Sequence, residues 1–174
     1  MIKAPLALTV ALALLCGRAA AAAPQTACAY LAGLVDPKAG PVFVVSYPTA
    51  PDGPLRGTAF LYDNAVAAIA LVGCGDAERA RNIGDAIVIA QSHDRFWRDG
   101  RLRNAYRAGP VGDGAVALPG RWSDAEGKWL EDSYQVGTDS GNMGWAMLAL
   151  LALDRSVADG GRYRDAAARI GGWV

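Results

Sequence analysis

Two aspartates stand near the starts of two similar apolar stretches, a pattern that suggests carboxylate chemistry. Asp63 opens the run 63–71, and Asp139 lies just before Asn142, which opens the matching run 142–150. If both runs are neighbouring helices with axes ~8–10 Å apart, the two side chains can face one cavity. Hydrolysis of a glycosidic bond uses two carboxyl groups, about 5 Å apart for retention and about 6.5–9.5 Å apart for inversion. Asp63 and Asp139 are therefore candidate catalytic residues.

The alternative interpretation of both aspartates is helix capping. An N-cap Asp accepts hydrogen bonds from the free N–H groups of the first turn and stabilises a helix by about 1 kcal/mol. Capping and catalysis do not exclude each other. Glu131 is a third candidate catalytic carboxylate: it lies between Trp129 and Tyr134, where it can serve as a general acid or simply form part of a solvated loop.

Aromatic and polar residues near these carboxylates are candidates for binding a sugar. Rings of Trp and Tyr pack against the C–H faces of sugars, while hydroxyls seek amide and charged groups. The candidate substrate-binding residues are Tyr62, Asn64, Trp97, Arg103, Tyr106, Trp129, Tyr134 and Asn142. Trp122 and Trp145 are further candidate platforms, although Trp145 lies inside a predicted helix, where a place in the core is the alternative.

Three arginines, Arg101, Arg103 and Arg107, alternate along the predicted strand 102–107, with Arg101 directly before it, and so share one face. That face either recognises the carboxylate of a uronic acid or is the solvent-facing side of a hairpin. The single histidine, His93, is expected at the C-terminal end of a helix. With one histidine, a multi-histidine metal site is excluded, and no cofactor is predicted.

The elements that must position these residues are helical hairpins. Apolar periodicity and capping signals predict helices at 26–35, 63–73, 77–91, 141–153 and 162–174, with an extended segment at 42–47. Asp76 is the expected cap of the third helix, whose apolar stripe is Ala80, Ile83, Ile87 and Ala90. The second helices of the two hairpins also match, through Ile83-Gly84 and Ile170-Gly171. A repeated hairpin cannot bury its apolar faces alone, which predicts a stacked or closed array.

The first 23 residues have the pattern of a signal peptide: Lys3, an apolar run 6–15, then small residues. This predicts a periplasmic or extracellular protein, with lipidation at Cys16 as a less favoured alternative. Removing Lys3 and Arg18 changes 17 basic residues to 15 against 17 acidic ones, a formal charge of −2. Such a balance attracts neither nucleic acid nor an anionic membrane, and no later run is long enough to span a bilayer. Cys28 and Cys74 either form a disulfide or remain buried thiols.

Four motifs resemble the six-hairpin, (α/α)-toroid glycosidase-like superfamily. They are Tyr62-Asp63-Asn64-Ala65, Gly75-Asp76-Ala77-Glu78-Arg79-Ala80, Asp99-Gly100-Arg101-Leu102-Arg103-Asn104-Ala105-Tyr106 and Gly141-Asn142-Met143-Gly144-Trp145-Ala146. The resemblance covers about residues 45–174. It implies a mainly α fold of antiparallel helical hairpins, with a substrate site at one mouth of the toroid. Residues 24–174 are then the N-terminal part of a catalytic-type domain, an incomplete toroid, in which the long aromatic loop 92–140 holds a small β-hairpin.

The resemblance and the carboxylates together predict an exported glycoside hydrolase acting on an oligo- or polysaccharide. A polysaccharide lyase or sugar epimerase on the same toroid is one alternative, since those enzymes use Tyr, His or Arg near a uronate. A periplasmic protein that binds glycans without catalysis is the other. Because the chain ends within a predicted helix, we expect these 174 residues to be a fragment that is inactive alone. The sequence gives no indication of an oligomeric state.

Overall fold

The computed structural model describes residues 22–174, so Cys16 and most of the predicted signal peptide lie outside the described residues. Helices dominate, which confirms the mainly α prediction. The helices are α1 (Ala22–Gly33), α2 (Leu61–Gly73), α3 (Ala77–Ser92), α4 (Ser140–Ser156) and α5 (Arg162–Gly171). The strands are β1 (Val42–Phe43), β2 (Thr58–Phe60), β3 (Ala105–Arg107), β4 (Gly109–Pro110), β5 (Arg121–Ser123) and β6 (Lys128–Leu130).

Two helical hairpins form the body of the fold, as the repeat predicted. Helices α2 and α3 are joined by a tight turn at Gly75, whose φ of 79° favours glycine. Asp76 caps α3 by accepting a hydrogen bond from the backbone N–H of Arg79. The predicted apolar stripe of α3 is fully buried. In the second hairpin, α4 packs against α5 and also against α2 and α3, so the two hairpins share one core.

A glycine allows a close approach between the hairpins. A Cβ atom at Gly84 of α3 would lie 2.2 Å from Cδ1 of Leu153 in α4 and 3.2 Å from Cε1 of Tyr163 in α5. Leu153 and Tyr163 are themselves fully buried. Any larger residue at position 84 must therefore push two core side chains aside.

A disulfide between Cys28 and Cys74 settles the alternative left open by the sequence. The two Cα atoms are 5.7 Å apart, and the bond ties α1 to the C-terminal end of α2. With a sequence separation of 46, restriction of the unfolded chain stabilises the fold by about 4 kcal/mol in the chain-entropy model.

The loop 92–140 does contain a β-hairpin, formed by β5 and β6 with Trp122 opposite Trp129. The segment predicted as a hairpin strand, 102–107, does contain a strand, β3. Its place in a hairpin is wrong, because β3 pairs with the distant strand β2, Ala59 opposite Tyr106. The three arginines consequently do not share a solvent-facing side. Arg103 is buried, whereas Arg107 is exposed.

The predicted extended segment 42–47 is largely held by side chains rather than by strand pairing. Only β1 pairs, with β4. Beyond it, Asn64 hydrogen-bonds the N–H and C=O of Val44, and the Oγ of Ser46 accepts from the N–H of Phe60. Among the described helices, none is long and apolar enough to cross a membrane.

We predict that Gly84→Ala destabilises the fold by about 1–3 kcal/mol because the new methyl group overpacks the core. Gly144→Ala is the matched control: it also lies inside a helix, but its Cβ would meet nothing within 4 Å. Gly144→Ala should be neutral or stabilising by up to about 1 kcal/mol through helix propensity. Urea unfolding of both variants measures the difference. Equal stabilities would contradict the close approach at Gly84.

Candidate functional site

The buried residue Asn104 connects the N-terminal ends of α2 and α4. The carbonyl of Asn104 accepts from the N–H of Leu61, the first residue of α2, at 2.9 Å. Its side-chain oxygen accepts from Nδ2 of Asn142 in the first turn of α4, also at 2.9 Å. Its Nδ2 donates to the carbonyl of Tyr134, and its N–H donates to the carbonyl of Gly137. Both helices therefore begin at the same end of the bundle, beside the turn 132–137.

A buried ion pair stands next to this amide. The guanidinium of Arg103 donates to both carboxylate oxygens of Asp94 at 2.5 and 2.9 Å, and to the carbonyl of Val136 at 2.6 Å. Both side chains are less than 5 % exposed. Burial alone would raise the pKa of Asp94, but hydrogen bonds from Arg103 and from the N–H groups of Trp97 and Phe96 outweigh it and lower that pKa.

Two of the predicted substrate-binding residues thus lie inside the protein. Arg103 is committed to Asp94, and Trp97 lies against Arg103 with the guanidinium carbon 4.1 Å from the ring centroid. Tyr106 is buried and stacks on Phe43 at 4.7 Å between ring centroids, and its hydroxyl accepts from the N–H of Arg103. Burial also raises the pKa of the Tyr106 phenol. As placed here, Arg103 and Tyr106 support the site rather than line it.

The side chain of Asn64 is also engaged in hydrogen bonds within the protein. It is 1 % exposed, and its amide bonds the backbone of Val44 and the carbonyl of Phe60. These bonds fix the segment that follows β1 against the start of α2. We therefore assign Asn64 a structural role, in place of the predicted contact with substrate.

Four of the predicted site residues do meet in one groove. We call it the tyrosine groove: Tyr47, Phe60, Tyr62, Asp63, Tyr134 and Asn142 line a cavity of about 320 Å³. Tyr47, Tyr62 and Tyr134 each expose roughly half of their surface. Tyr47 meets Phe60 edge to face, and Tyr62 meets Trp145 in the same way. The groove thus combines aromatic faces with polar atoms, a mixture typical of small-molecule sites.

Asp63 is the carboxylate of this groove, and its predicted role as N-cap of α2 is wrong. The cap position is Phe60, so Asp63 is the third residue of the helix. The N–H of Leu61 instead finds its acceptor in the carbonyl of Asn104. Within residues 22–174 the Asp63 carboxylate has no hydrogen-bond or ion-pair partner. It is half-buried and stands in the first turn, where the helix dipole favours a negative charge.

The other two predicted catalytic carboxylates are engaged elsewhere. Asp139 is the N-cap of α4, as the capping interpretation predicted, and accepts from the N–H groups of Gly141 and Asn142. Glu131 forms a two-point ion pair with Arg95, at 2.8 and 2.5 Å. Neither carboxylate lines the tyrosine groove. The structure therefore does not bring Asp63 and Asp139 together in that groove.

Two groove residues were not among the sequence candidates. Tyr47 and Phe60 precede the loop 92–140 in the sequence. The bonds between Ser46 and strand β2 bring Tyr47 next to Phe60. A usable signal was present: Tyr47 ends the extended segment and directly precedes Pro48. Trp129, by contrast, lies on the β5–β6 hairpin and lines a different cavity.

No group of three or more metal-ligating side chains occurs in the part of the chain that the structure describes. Comparison of the chain with known protein families, with characterised proteins and with solved structures finds no match. The assignment of function therefore depends on the chemistry of the groove.

We predict that Asp94→Asn removes an acid-sensitive part of the stability. Because the folded pKa is lowered, the ion pair stabilises the protein fully above the unfolded value of about 4 and loses that effect as the pH falls below it. The loss at neutral pH should reach about 3 kcal/mol, since Arg103 remains buried without its partner charge. Urea unfolding at several pH values measures this. A gap between wild type and variant that does not shrink on acidification would contradict it, and Asp99→Asn, in an exposed pair with Arg101, is the control.

We predict that Asn104→Ala loosens the turn 132–137 as well as lowering stability by about 2 kcal/mol, the value of two side-chain hydrogen bonds. Asn82→Ala is the control, because buried Asn82 also makes two side-chain bonds, to the carbonyls of Asp36 and Pro37. Hydrogen exchange should quicken in 132–137 for the first variant only. Equal protection of this turn in both variants would show that Asn104 does not hold it.

Proposed function

We propose that this protein acts on carbohydrate, with the tyrosine groove as the sugar-binding site and Asp63 as the candidate catalytic carboxylate of a glycoside hydrolase. One observation carries the proposal. Of the three carboxylates predicted from the sequence, Asp63 is the one without a partner among the described residues 22–174, and it lies among exposed tyrosines. Such a carboxylate is available to a ligand without first breaking an ion pair.

The groove supplies the contacts that a sugar needs. The rings of Tyr62 and Tyr134 offer apolar faces, and their hydroxyls have no partner within residues 22–174. Asn142 donates its Nδ2 to Asn104, which fixes the amide and leaves its Oδ1 to accept from a sugar hydroxyl. Asp63 would then protonate a glycosidic oxygen or hold a hydroxyl beside it.

A two-carboxylate hydrolysis needs a second acid or base, and among the described residues the groove is lined by one carboxylate, that of Asp63. We propose that residues 24–174 form two hairpins of a larger (α/α) array that supplies this partner. Exposed apolar side chains on α4, Trp145 and Leu148, support this proposal because further hairpins would cover them. The disulfide between Cys28 and Cys74 supports the accompanying proposal of export to an oxidising compartment.

With one carboxylate in the groove lining, a second candidate function is also favoured, that of a protein that binds glycans without hydrolysing them. A groove with one carboxylate and several aromatic rings is sufficient for binding. The lyase or epimerase alternative has less support, because Arg103 and Tyr106, the residues expected to serve it, are buried and occupied.

The test uses the full-length protein, with the further hairpins proposed above, and measures both binding and release of reducing ends with a panel of neutral and acidic oligosaccharides. We expect Asp63→Asn to abolish turnover while keeping binding, and the exposed Asp113→Asn to behave as wild type. Tyr134→Ala should weaken binding by about tenfold through loss of stacking, whereas Phe96→Ala, an exposed ring outside the groove, should not.

Three outcomes would count against the hydrolase. Binding without turnover in the wild type would assign the protein to the glycan-binding class. Turnover that survives Asp63→Asn would remove Asp63 from the mechanism. Absence of binding to every oligosaccharide would contradict both functions.

A further inference from the structure

A second and larger cavity lies beside the β5–β6 hairpin. Its volume is about 740 Å³, within the range of small-molecule sites. We call it the arginine–tryptophan cleft; its walls include Asp52, Arg56, Arg107, Arg121, Trp122 and Trp129. None of these residues belongs to the tyrosine groove.

Two indole rings form the aromatic wall. Trp122 and Trp129 are directly opposite in the antiparallel register, so they project from the same face of the hairpin. Their surfaces are 58 % and 44 % exposed, which is unusual for residues of this size. The ring of Trp129 is seated against the backbone, because a Cβ at Gly120 would lie 2.4 Å from its Nε1. The wall is thus preformed.

The charged residues that line the cleft carry an excess of positive charge. Arg56 is paired with Asp52. Arg107, at the end of β3, and Arg121, at the start of β5, have no hydrogen-bond or ion-pair partner for their guanidinium groups in the part of the chain described. Three arginines against one aspartate leave a local charge of +2. Strand pairing fixes the backbone beneath both free arginines.

We propose that the arginine–tryptophan cleft binds an acidic saccharide through the carboxylates of its uronic acid residues. Guanidinium groups pair with carboxylates through two parallel hydrogen bonds, and indole faces pack against the C–H faces of the sugar rings. This inference rests on the proposed function and deepens it, since it names the substrate class as an anionic glycan.

The cleft is linked to the tyrosine groove by the turn 132–137. Tyr134 of this turn lines the groove, and the neighbouring Gln135 donates its Nε2 to the carbonyl of Pro54 in the wall of the cleft at 2.8 Å. This bond ties the turn that carries Tyr134 to the wall of the cleft. A nucleic acid is the less suitable polyanion, because the chain as a whole has equal numbers of acidic and basic residues and a bound strand needs a continuous basic track.

The test measures affinity of the whole chain for hexagalacturonate, with maltohexaose as the neutral ligand of equal length. We expect binding of hexagalacturonate to be tighter, and the double variant Arg107→Gln/Arg121→Gln to weaken it by about tenfold or more. The double variant Arg81→Gln/Arg155→Gln removes the same charge from exposed helix positions outside the cleft and should change affinity little. Trp122→Ala should weaken the binding of hexagalacturonate and reduce the change in tryptophan fluorescence that binding causes. Circular dichroism checks that the variant is folded.

Equal affinity for the two hexasaccharides, or equal losses in the two double variants, would overturn the proposal. So would tighter binding of a single-stranded DNA hexamer at the same ionic strength. The same measurements distinguish failure of the groove proposal from failure of the cleft proposal. If Tyr134→Ala and Asp63→Asn leave binding and turnover unchanged while the cleft variants lose hexagalacturonate, the cleft stands and the groove proposal falls. If only the groove variants lose binding, the cleft proposal falls.

Discussion

The four hydrogen bonds of Asn104 are the constraint on which the site depends. They connect one buried residue to the first residue of α2, to the first turn of α4 and to two carbonyls of the turn 132–137, those of Tyr134 and Gly137. A buried amide left without partners would be costly, so the four partners hold one another in place. Next to it, the Arg103–Asp94 pair fixes the same segment by a bond to Val136. Together they bring Tyr134, Asn142 and the start of α2 to one end of the helical hairpins.

This arrangement also concerns Asp63, whose carboxylate has no hydrogen-bond or ion-pair partner within residues 22–174. A helix leaves its first N–H groups without partners, and an aspartate near the start usually satisfies one of them. At α2, the carbonyl of Asn104 takes the N–H of Leu61, and the cap position is filled by Phe60. At α4, Asp139 caps the helix by accepting from the N–H groups of Gly141 and Asn142. Two aspartates at similar places in the sequence therefore have different availability to a ligand.

Local signals predicted the helices well and the roles of individual polar residues less well. Periodicity and the capping role of Asp76 were confirmed, because each depends on residues within a few positions. Arg103 and Arg107 belong to one alternating pattern in the sequence, yet one is buried against Asp94 and the other is exposed in the arginine–tryptophan cleft. Strand β3 pairs with β2 from outside the loop, a long-range choice that no local pattern encodes. Tyr47 and Phe60 reach the groove for the same reason.

The sequence by itself determined the mainly α architecture and the repeated hairpins, because apolar periodicity and capping act within one or two helical turns. Only the tertiary structure decided which candidate side chains are engaged by the fold and which are exposed. Cys28 and Cys74 form a disulfide, Asn64 and Arg103 are internal supports, and the Asp63 carboxylate has no partner within residues 22–174. The physical reason is that a polar side chain bonds to whatever partner the fold places within about 3 Å, and those partners come from distant parts of the chain.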